Sequence, residues 1–183
     1  VGRALAQRMS KQLGQTIVVD NKPGGAGTIG GLAVKQAAAD GYTLLFSPST
    51  HTTTPMTMKT APYDVVKDFT PIALAAKAPL AIAINKNLPI TDVQSLIGYA
   101  KANPGKLSFA IGSTGSAGHL STELLRRSSG IEYLIVPYKG AGNAMTDVMG
   151  GQVQYFMSVP VNIVTHVRGG KLRAIAVTGS KRI

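Results

Sequence analysis

Residues 107–120 read LSFAIGSTGSAGHL, where an apolar strand pattern leads directly into a turn of glycine, serine and threonine and then into a helical pattern. This order leaves the first backbone N–H groups of the helix without acceptors, among small hydroxyl side chains and with no acidic residue nearby. A carboxylate or a phosphate would fit such a turn. A serine at a helix start also serves simply as a cap, so this turn alone leaves both interpretations open.

Strand and helix patterns alternate along the rest of the chain. Apolar runs predict strands at residues 16–20, 42–47, 107–111, 133–136, 153–158 and 172–178, and extended segments at residues 72–76 and 80–85. Helical spacing of apolar residues predicts helices at residues 1–13, 28–39, 91–102, 117–127, 141–149 and 162–167. Because such alternation builds parallel sheets through right-handed crossovers, we expect an α/β fold with mostly parallel sheets. The break in rhythm at residues 72–85 indicates a passage between two lobes.

The charge of the chain favours anionic ligands. Lys and Arg number 19 against 8 Asp and Glu, so the formal net charge is +11, and a field of that sign raises the local concentration of anions. Nucleic acid is a weaker candidate, because the basic residues are dispersed and aromatic residues make up only 5% of the chain. The chain has no cysteine, and its three histidines lack paired spacing. The sequence therefore predicts no metal site and no cofactor.

Four loops are the candidate ligand-binding segments. Ligands of open parallel sheets bind beyond the carboxyl ends of the strands, where loops lead into helices. That rule selects SPSTHTTTP (residues 47–55), GSTGSAGH (112–119), PYKGAGN (137–143) and SVPVN (158–162). All four loops are rich in hydroxyl groups or glycine, and none carries a carboxylate. Together they favour a site for a small anion.

A glycine motif at residues 25–30, GAGTIG, matches the GxGxxG pattern of dinucleotide-binding folds. Its context argues against that function. Pro23 lies in the turn and cannot donate an N–H group, and no acidic residue stands about 20 positions later to bind a ribose. The chain also lacks a P-loop motif.

A hydrolase relay of Ser113, His119 and Asp147 is a further possibility. The turn around Ser113 does not match GxSxG, and His119 falls at a helix position that more often packs or caps. An α/β enzyme acting on a small anionic substrate, with His119 or Lys139 as acid or base, stays open as the alternative function.

Four longer segments resemble a known family. They are QRMSKQLGQTIVVDNKPGGAGTIGGLAVKQAAADGYTLLFS, KANPGKLSFAIGSTGSAGHLSTELL, VPYKGAGNAMTDVMGGQVQYF and GKLRAIAVTGSKR. In this order and spacing they resemble the Bug or TctC-type extracytoplasmic solute receptors of tripartite tricarboxylate transporters. The resemblance implies a fold like that of type II periplasmic binding proteins, with two α/β lobes. Residues 1–76 with 176–183 would form a partial first lobe, and residues 77–175 the second.

The resemblance also implies a function. Such receptors bind a small organic acid or an acidic amino acid in an interlobe cleft and deliver it to the membrane components of a tripartite transporter. A periplasmic location, no enzymatic reaction and no nucleic-acid partner follow from it. The ligand-binding residues that it implies are Ser49 and Thr50 in the first lobe and Ser113, Thr114, Gly115, Ser116, Lys139, Gly140 and Ser158 in the second.

The chain departs from the family pattern at both ends. Family members begin with a strand and a glycine-rich loop ahead of the helix that opens here at Val1, and they continue well past Ile183. We expect this chain to carry no signal peptide, since no positively charged leader with an apolar segment is seen ahead of Val1. We therefore expect a truncated receptor, and a non-binding remnant that associates through unpaired strand edges is a third possibility.

Overall fold

The computed structural model describes residues 1–183, which divide into two compact units, Val1–Pro71 and Ile72–Ile183. The first unit is built from three α-helices and two short 3₁₀ turns. Its helices are α1 (Gly2–Leu13), α2 (Thr28–Lys35) and α3 (Thr50–Thr53), and its 3₁₀ turns are Gly25–Gly27 and Pro55–Thr57. The predicted lobe boundaries near residues 76 and 176 stay a prediction.

The first unit is held together by an aromatic cluster. His51 of α3 stacks on Tyr63 with ring centroids 4.9 Å apart, and Phe69 meets both rings edge-on at 4.6 and 5.3 Å. The Tyr63 side chain is buried. Helix α1 ends at Gly14, whose left-handed φ of 65° is the conformation that glycine adopts most easily, as its sequence position predicts.

Two predicted strands in the first unit, residues 16–20 and 42–47, are wrong, since neither takes part in a sheet. A strand needs a neighbour that accepts and donates its backbone hydrogen bonds. No such neighbour pairs with these segments, and several of their apolar side chains are exposed, among them Val18 by 83% and Phe46 by 52%. In the second unit, the extended segment at residues 72–76 likewise forms no strand.

The second unit is a five-stranded sheet with helices on both faces. Its strands are β1 (Ala81–Asn85), β2 (Ser108–Ile111), β3 (Leu134–Pro137), β4 (Tyr155–Ser158) and β5 (Leu172–Val177), in the order β3-β2-β4-β1-β5. Strand β2 is parallel to β3 and β4, whereas β1 is antiparallel to β4 and β5. Four of the five strands therefore run the same way, which confirms the α/β prediction of a mostly parallel sheet.

The sheet separates two apolar cores, because successive side chains of a strand point to opposite faces. Phe109 and Tyr155 belong to one core, together with side chains of α4 (Val93–Ala102) and α5 (Ala117–Ser129). Ala110 and Phe156 belong to the other, with side chains of α6 (Ala141–Gly150) and α7 (Pro160–Arg168). Both faces of the central strands are thus buried, as their continuous apolar patterns predict.

Helix ends differ from the sequence prediction by a few residues. Helix α2 ends at Lys35 rather than at residue 39, and α7 begins at Pro160, two residues earlier than predicted, because proline is well suited to the first helical position. The cap of α4 is Asp92, which forms a capping box with Ser95. None of the helices combines the length and the apolar character that a membrane crossing requires.

Candidate functional site

Three of the four predicted loops meet at one edge of the sheet in the second unit. Strands β2, β3 and β4 are parallel neighbours, so their carboxyl ends lie at the same edge. The turns that follow them lead into α5, α6 and α7, and no first turn of these helices contains an acidic residue. Because a helix start carries a partial positive charge, this edge presents three electropositive helix ends with no carboxylate in their first turns.

The turn after β2 presents backbone donors at the start of α5. Ser116 caps the helix, and its hydroxyl oxygen accepts from the N–H of His119 at 3.2 Å. The N–H groups of Ala117 and Gly118 have no acceptor within the protein. These two donors are the groups that the first turn of an α-helix leaves unsatisfied.

Two hydroxyl groups stand beside these donors. Ser113 is half-buried, and its hydroxyl makes only a long bond of 3.3 Å to the Thr114 carbonyl oxygen. Thr114 is exposed. Gly115 adopts a left-handed φ of 75°, which completes the turn, and Ser116 N–H donates to the Ser113 carbonyl oxygen at 3.2 Å. The turn is therefore fixed by its own backbone while both hydroxyls can reorient toward a ligand.

The turn after β3 is fastened to the turn after β2. Tyr138 N–H donates to the Ile111 carbonyl oxygen at 2.8 Å, and Gly140 N–H donates to that of Gly112 at 3.1 Å. Between these two bonds, Lys139 is exposed and makes no ion pair with any carboxylate of the chain. Two of the predicted site segments are thus direct neighbours.

Tyr138 is also held by its side chain. Its hydroxyl donates to the Asp147 carboxylate of α6 at 2.6 Å. Burial and the adjacent Asp147 carboxylate raise the pKa of Tyr138 to about 12, so the phenol keeps its proton. No local sequence pattern predicts this role of Tyr138, because the contact depends on how α6 packs against the turn that precedes it.

The end of β4 contributes Ser158. Its hydroxyl oxygen accepts from the Asn162 side-chain amide at 3.0 Å, which ties the strand end to the first turn of α7. A cleft of about 330 Å³ lies between α6 and α7 and includes Asn162, Met145, Met149 and His166 in its lining. Because the Ser158 hydroxyl oxygen acts as the acceptor in its bond with Asn162, its own hydrogen stays available for a further acceptor.

Ser49 and Thr50 lie in the first unit. Ser49 precedes α3, and its carbonyl oxygen accepts from the N–H groups of Thr52 and Thr53 at 3.0 and 3.2 Å. The Ser49 side chain is exposed, and Thr50 is half-buried. Their part in ligand binding stays a prediction.

The relay of Ser113, His119 and Asp147 is not assembled. Gly115 N–H donates to Nδ1 of His119 at 3.1 Å, so that nitrogen is an acceptor and is occupied within its own turn. Asp147 accepts from Tyr138 instead of orienting the imidazole. Neither a base aimed at Ser113 nor an orienting acid is formed by these residues.

The GAGTIG motif also lacks the structural context of a dinucleotide site. Residues 16–20 before it form no strand, and Gly25–Gly27 forms a 3₁₀ turn that leads into α2. The pyrophosphate-binding geometry requires a strand, a tight turn and a helix in succession. No group of three or more His, Cys, Asp or Glu side chains in the chain could hold a metal ion.

Comparisons with known proteins agree with this architecture. The family model of the tripartite tricarboxylate transporter family receptor, TctC, matches residues 1–183. Protein BugT of Bordetella pertussis is 37% identical over 187 residues, an alignment that covers 100% of this chain and 56% of BugT. The resemblance found in the sequence is thereby confirmed.

Solved structures give the same result. The structure of R. palustris Rpa4515 with adipate has a TM-score of 0.93 at 37% identity and covers 99% of this chain and 61% of that one. MatC (Rpa3494) from Rhodopseudomonas palustris with bound malate has a TM-score of 0.86 at 32% identity, covering 98% and 62%. The chain spans about half the length of the curated relatives it matches. On these similarities, the chain belongs to the TctC family of tripartite tricarboxylate transporter receptors.

Proposed function

We propose that this chain captures a small carboxylate in the periplasm as part of a solute receptor for a tripartite tricarboxylate transporter. The observation that carries the proposal is the common sheet edge at which α5, α6 and α7 all begin, with no acidic residue in their first turns. Two similar structures contain adipate and malate, which are small dicarboxylates. The membrane components of the transporter are the proposed partners.

The carboxylate would bind mainly to neutral donors. The free N–H groups of Ala117 and Gly118 and the hydroxyls of Ser113 and Thr114 lie in one turn, next to the turn that carries Lys139. A hydrogen bond to a charged group contributes about 1.5–3 kcal/mol. Three or four such bonds support a dissociation constant in the micromolar range, about −8 kcal/mol, after the cost of association.

The proposed ligand-binding residues fall into two sets. In the second unit they are Ser113, Thr114, Gly115, Ser116, Lys139, Gly140 and Ser158, all at the carboxyl ends of β2, β3 and β4. In the first unit they are Ser49 and Thr50. The first set is supported by its shared sheet edge, and the second by family resemblance alone.

We infer that binding is not followed by a chemical step. His119 and Asp147 are each engaged by another residue, Gly115 and Tyr138, so neither is available to activate Ser113. This agrees with a family whose members are described as receptors. Turnover of carboxylate esters, phosphates or nicotinamide cofactors by the purified chain would instead support the enzyme alternative.

The test is calorimetric titration of the purified chain with adipate and with malate. Replacing Ser113→Ala together with Ser116→Ala should weaken binding at least tenfold, because a hydroxyl donor to the anion and the cap that fixes the first turn of α5 are both lost. The matched control is Ser128→Ala with Ser129→Ala, which removes two hydroxyls from the opposite end of α5. Thr114→Ala supplies a variant at an exposed hydroxyl, where folding is not at risk. Unchanged affinity in both site variants would exclude this turn from the binding site.

A further inference from the structure

Two methionines and a histidine line the cleft between α6 and α7. The cleft has a volume of about 330 Å³, and its wall includes Met145 and Met149 of α6 and His166 of α7. No acidic residue and none of the proposed carboxylate-binding residues lines it. The cleft therefore brings together two thioethers and one imidazole, which are ligands for soft metal ions.

The two methionines lie on one face of α6. Residues four positions apart in an α-helix are neighbours on its surface, and Met145 and Met149 have this spacing. Met145 is 3% exposed and Met149 is half-buried, and both pack with the apolar core beneath α6 and α7. Because a methionine side chain has three rotatable bonds, each sulfur can turn toward a common ion without a movement of the backbone.

His166 supplies a nitrogen from the other helix. It is half-buried, and its imidazole makes no hydrogen bond or ion pair with the protein. The other two histidines are engaged, since Nδ1 of His51 lies 3.1 Å from the Tyr63 hydroxyl and Nδ1 of His119 accepts from Gly115 N–H. Both ring nitrogens of His166 are therefore available, and imidazole is the commonest metal ligand among protein side chains.

The helix ends at this place favour a cation. Met149 lies in the last turn of α6 and His166 in the last turn of α7. The C-terminal turn of a helix carries a partial negative charge, which stabilises a nearby positive charge. The opposite ends of the same helices, at the candidate carboxylate site, favour an anion for the same reason. An anion site and a cation site can thus lie along one pair of helices.

The donor atoms decide which ion fits. Thioether sulfur selects Cu(I), whereas Mg²⁺ and Ca²⁺ prefer carboxylate, carbonyl or water oxygens. Zinc sites use cysteine, histidine and carboxylate ligands, and His166 is the single residue of these types in the cleft wall. The histidine and cysteine patterns that predict a zinc site therefore do not detect this cluster.

We propose that Met145, Met149 and His166 bind one Cu(I) ion in the cleft between α6 and α7. Two sulfurs and one nitrogen are its ligands, and the ion joins the two helices through side chains of both. Thr146 and Asn162 in the same wall are exposed, so the cleft opens to solvent and gives the ion an entry path.

The first test is calorimetric titration of the purified chain with silver nitrate in a chloride-free buffer, since Ag⁺ is a redox-stable substitute for Cu(I). One Ag⁺ should bind per chain. Met149→Leu and His166→Gln should each weaken binding at least about tenfold, because even groups that only support a metal ligand contribute about 10–100-fold to affinity. Leucine is close to methionine in volume, so Met149→Leu keeps the packing of α6. Met58→Leu, in the first unit, is the matched control and should leave the affinity unchanged.

His166→Met separates the loss of a ligand from a loss of folding. It replaces the imidazole with a third thioether, so it should retain the Ag⁺ binding that His166→Gln removes. Unchanged Ag⁺ affinity in both Met149→Leu and His166→Gln would overturn the proposal. Zn²⁺ binding as tight as that of Ag⁺ would overturn the assignment to a soft ion.

The second test is nuclear magnetic resonance of the methionine methyl groups during anaerobic addition of Cu(I). The chain has six methionines, and the methyl signals of Met145 and Met149 alone should shift. Equal shifts at Met56, which is 83% exposed, would show unspecific binding to thioethers and would contradict the proposal. Neither titration contains a carboxylate ligand, so both results are independent of the proposed function.

Discussion

The two units of this chain carry the same alternation of strand and helix patterns, yet only the second unit forms a sheet. In the second unit, β1 is buried along its whole length, because β4 and β5, far later in the chain, pair with its two edges and the two apolar cores cover its faces. In the first unit, the apolar segments at residues 16–20 and 42–47 have no strand beside them, and Val18 and Phe46 are exposed.

The difference shows that an apolar run is able to form a strand but does so only when another segment pairs with it. A strand is stabilised by backbone bonds and side-chain contacts that a neighbour supplies. Where such neighbouring strands are present, as in the sheet of the second unit, the apolar pattern forms a strand. The first unit is stabilised instead by helices and by the rings of His51, Tyr63 and Phe69.

The largest effect is expected at Gly118, where α5 packs on the sheet of the second unit. A Cβ atom at this position would collide with the backbone carbonyl oxygen of Met157 in β4, which cannot move without distorting the strand. Gly118→Ala should therefore lower the free energy of unfolding by about 3 kcal/mol. Thermal or urea denaturation followed by circular dichroism measures this loss.

The matched control is the same substitution in α4, Gly98→Ala. An added Cβ there meets no atom within 4 Å, so the higher helix propensity of alanine should stabilise the unit by up to about 1 kcal/mol. Equal effects at the two glycines would contradict the idea that close backbone approach holds α5 on the sheet.

A smaller loss is expected in the first unit at Gly31 of α2. Its added Cβ would come within 2.6 Å of the Tyr63 ring, a side chain and not a strand backbone. Gly31→Ala should cost about 1–2 kcal/mol, because the ring can shift but would weaken its contacts with His51. Hydrogen exchange of residues 50–71 should accelerate while that of residues 81–111 stays unchanged. Faster exchange in both segments would show that the two units do not respond separately.

The second unit could be predicted from the sequence more fully than the first. The strand and helix positions predicted after residue 80 agree with the structure to within a few residues, because each apolar strand pairs with a neighbouring strand and each helix packs on the sheet. The strand order, and the antiparallel direction of β1, depend on which distant segments pair and have no local signal. The absence of strands at residues 16–20 and 42–47 likewise depends on pairing with other segments, which the local sequence does not show.

The loops of the candidate site could be selected from the sequence, but the contacts between them could not. The rule that ligands lie at the carboxyl ends of parallel strands selected the turns after β2, β3 and β4, and these turns share one edge. The bond from Tyr138 to Asp147 was missed, since it arises only when α6 packs. A glycine directly after a strand, Gly112, was the available signal for the close approach of the two turns.

The smallest expected effect is a pH dependence confined to the first unit, and it arises from His51. Burial lowers the pKa of His51 below its usual 6.5, and Nδ1 lies 3.1 Å from the Tyr63 hydroxyl, a contact suited to the neutral ring. The unfolded chain therefore takes up a proton at a higher pH than the folded unit does, so stability is full above about 6.5 and falls as the pH drops through that value. Exchange of residues 50–71 should accelerate between pH 7.5 and 5.5 after correction for the intrinsic rate. His51→Gln should abolish this trend, whereas His166→Gln, in the second unit, should keep it; persistence in the His51 variant would assign the titration to another group.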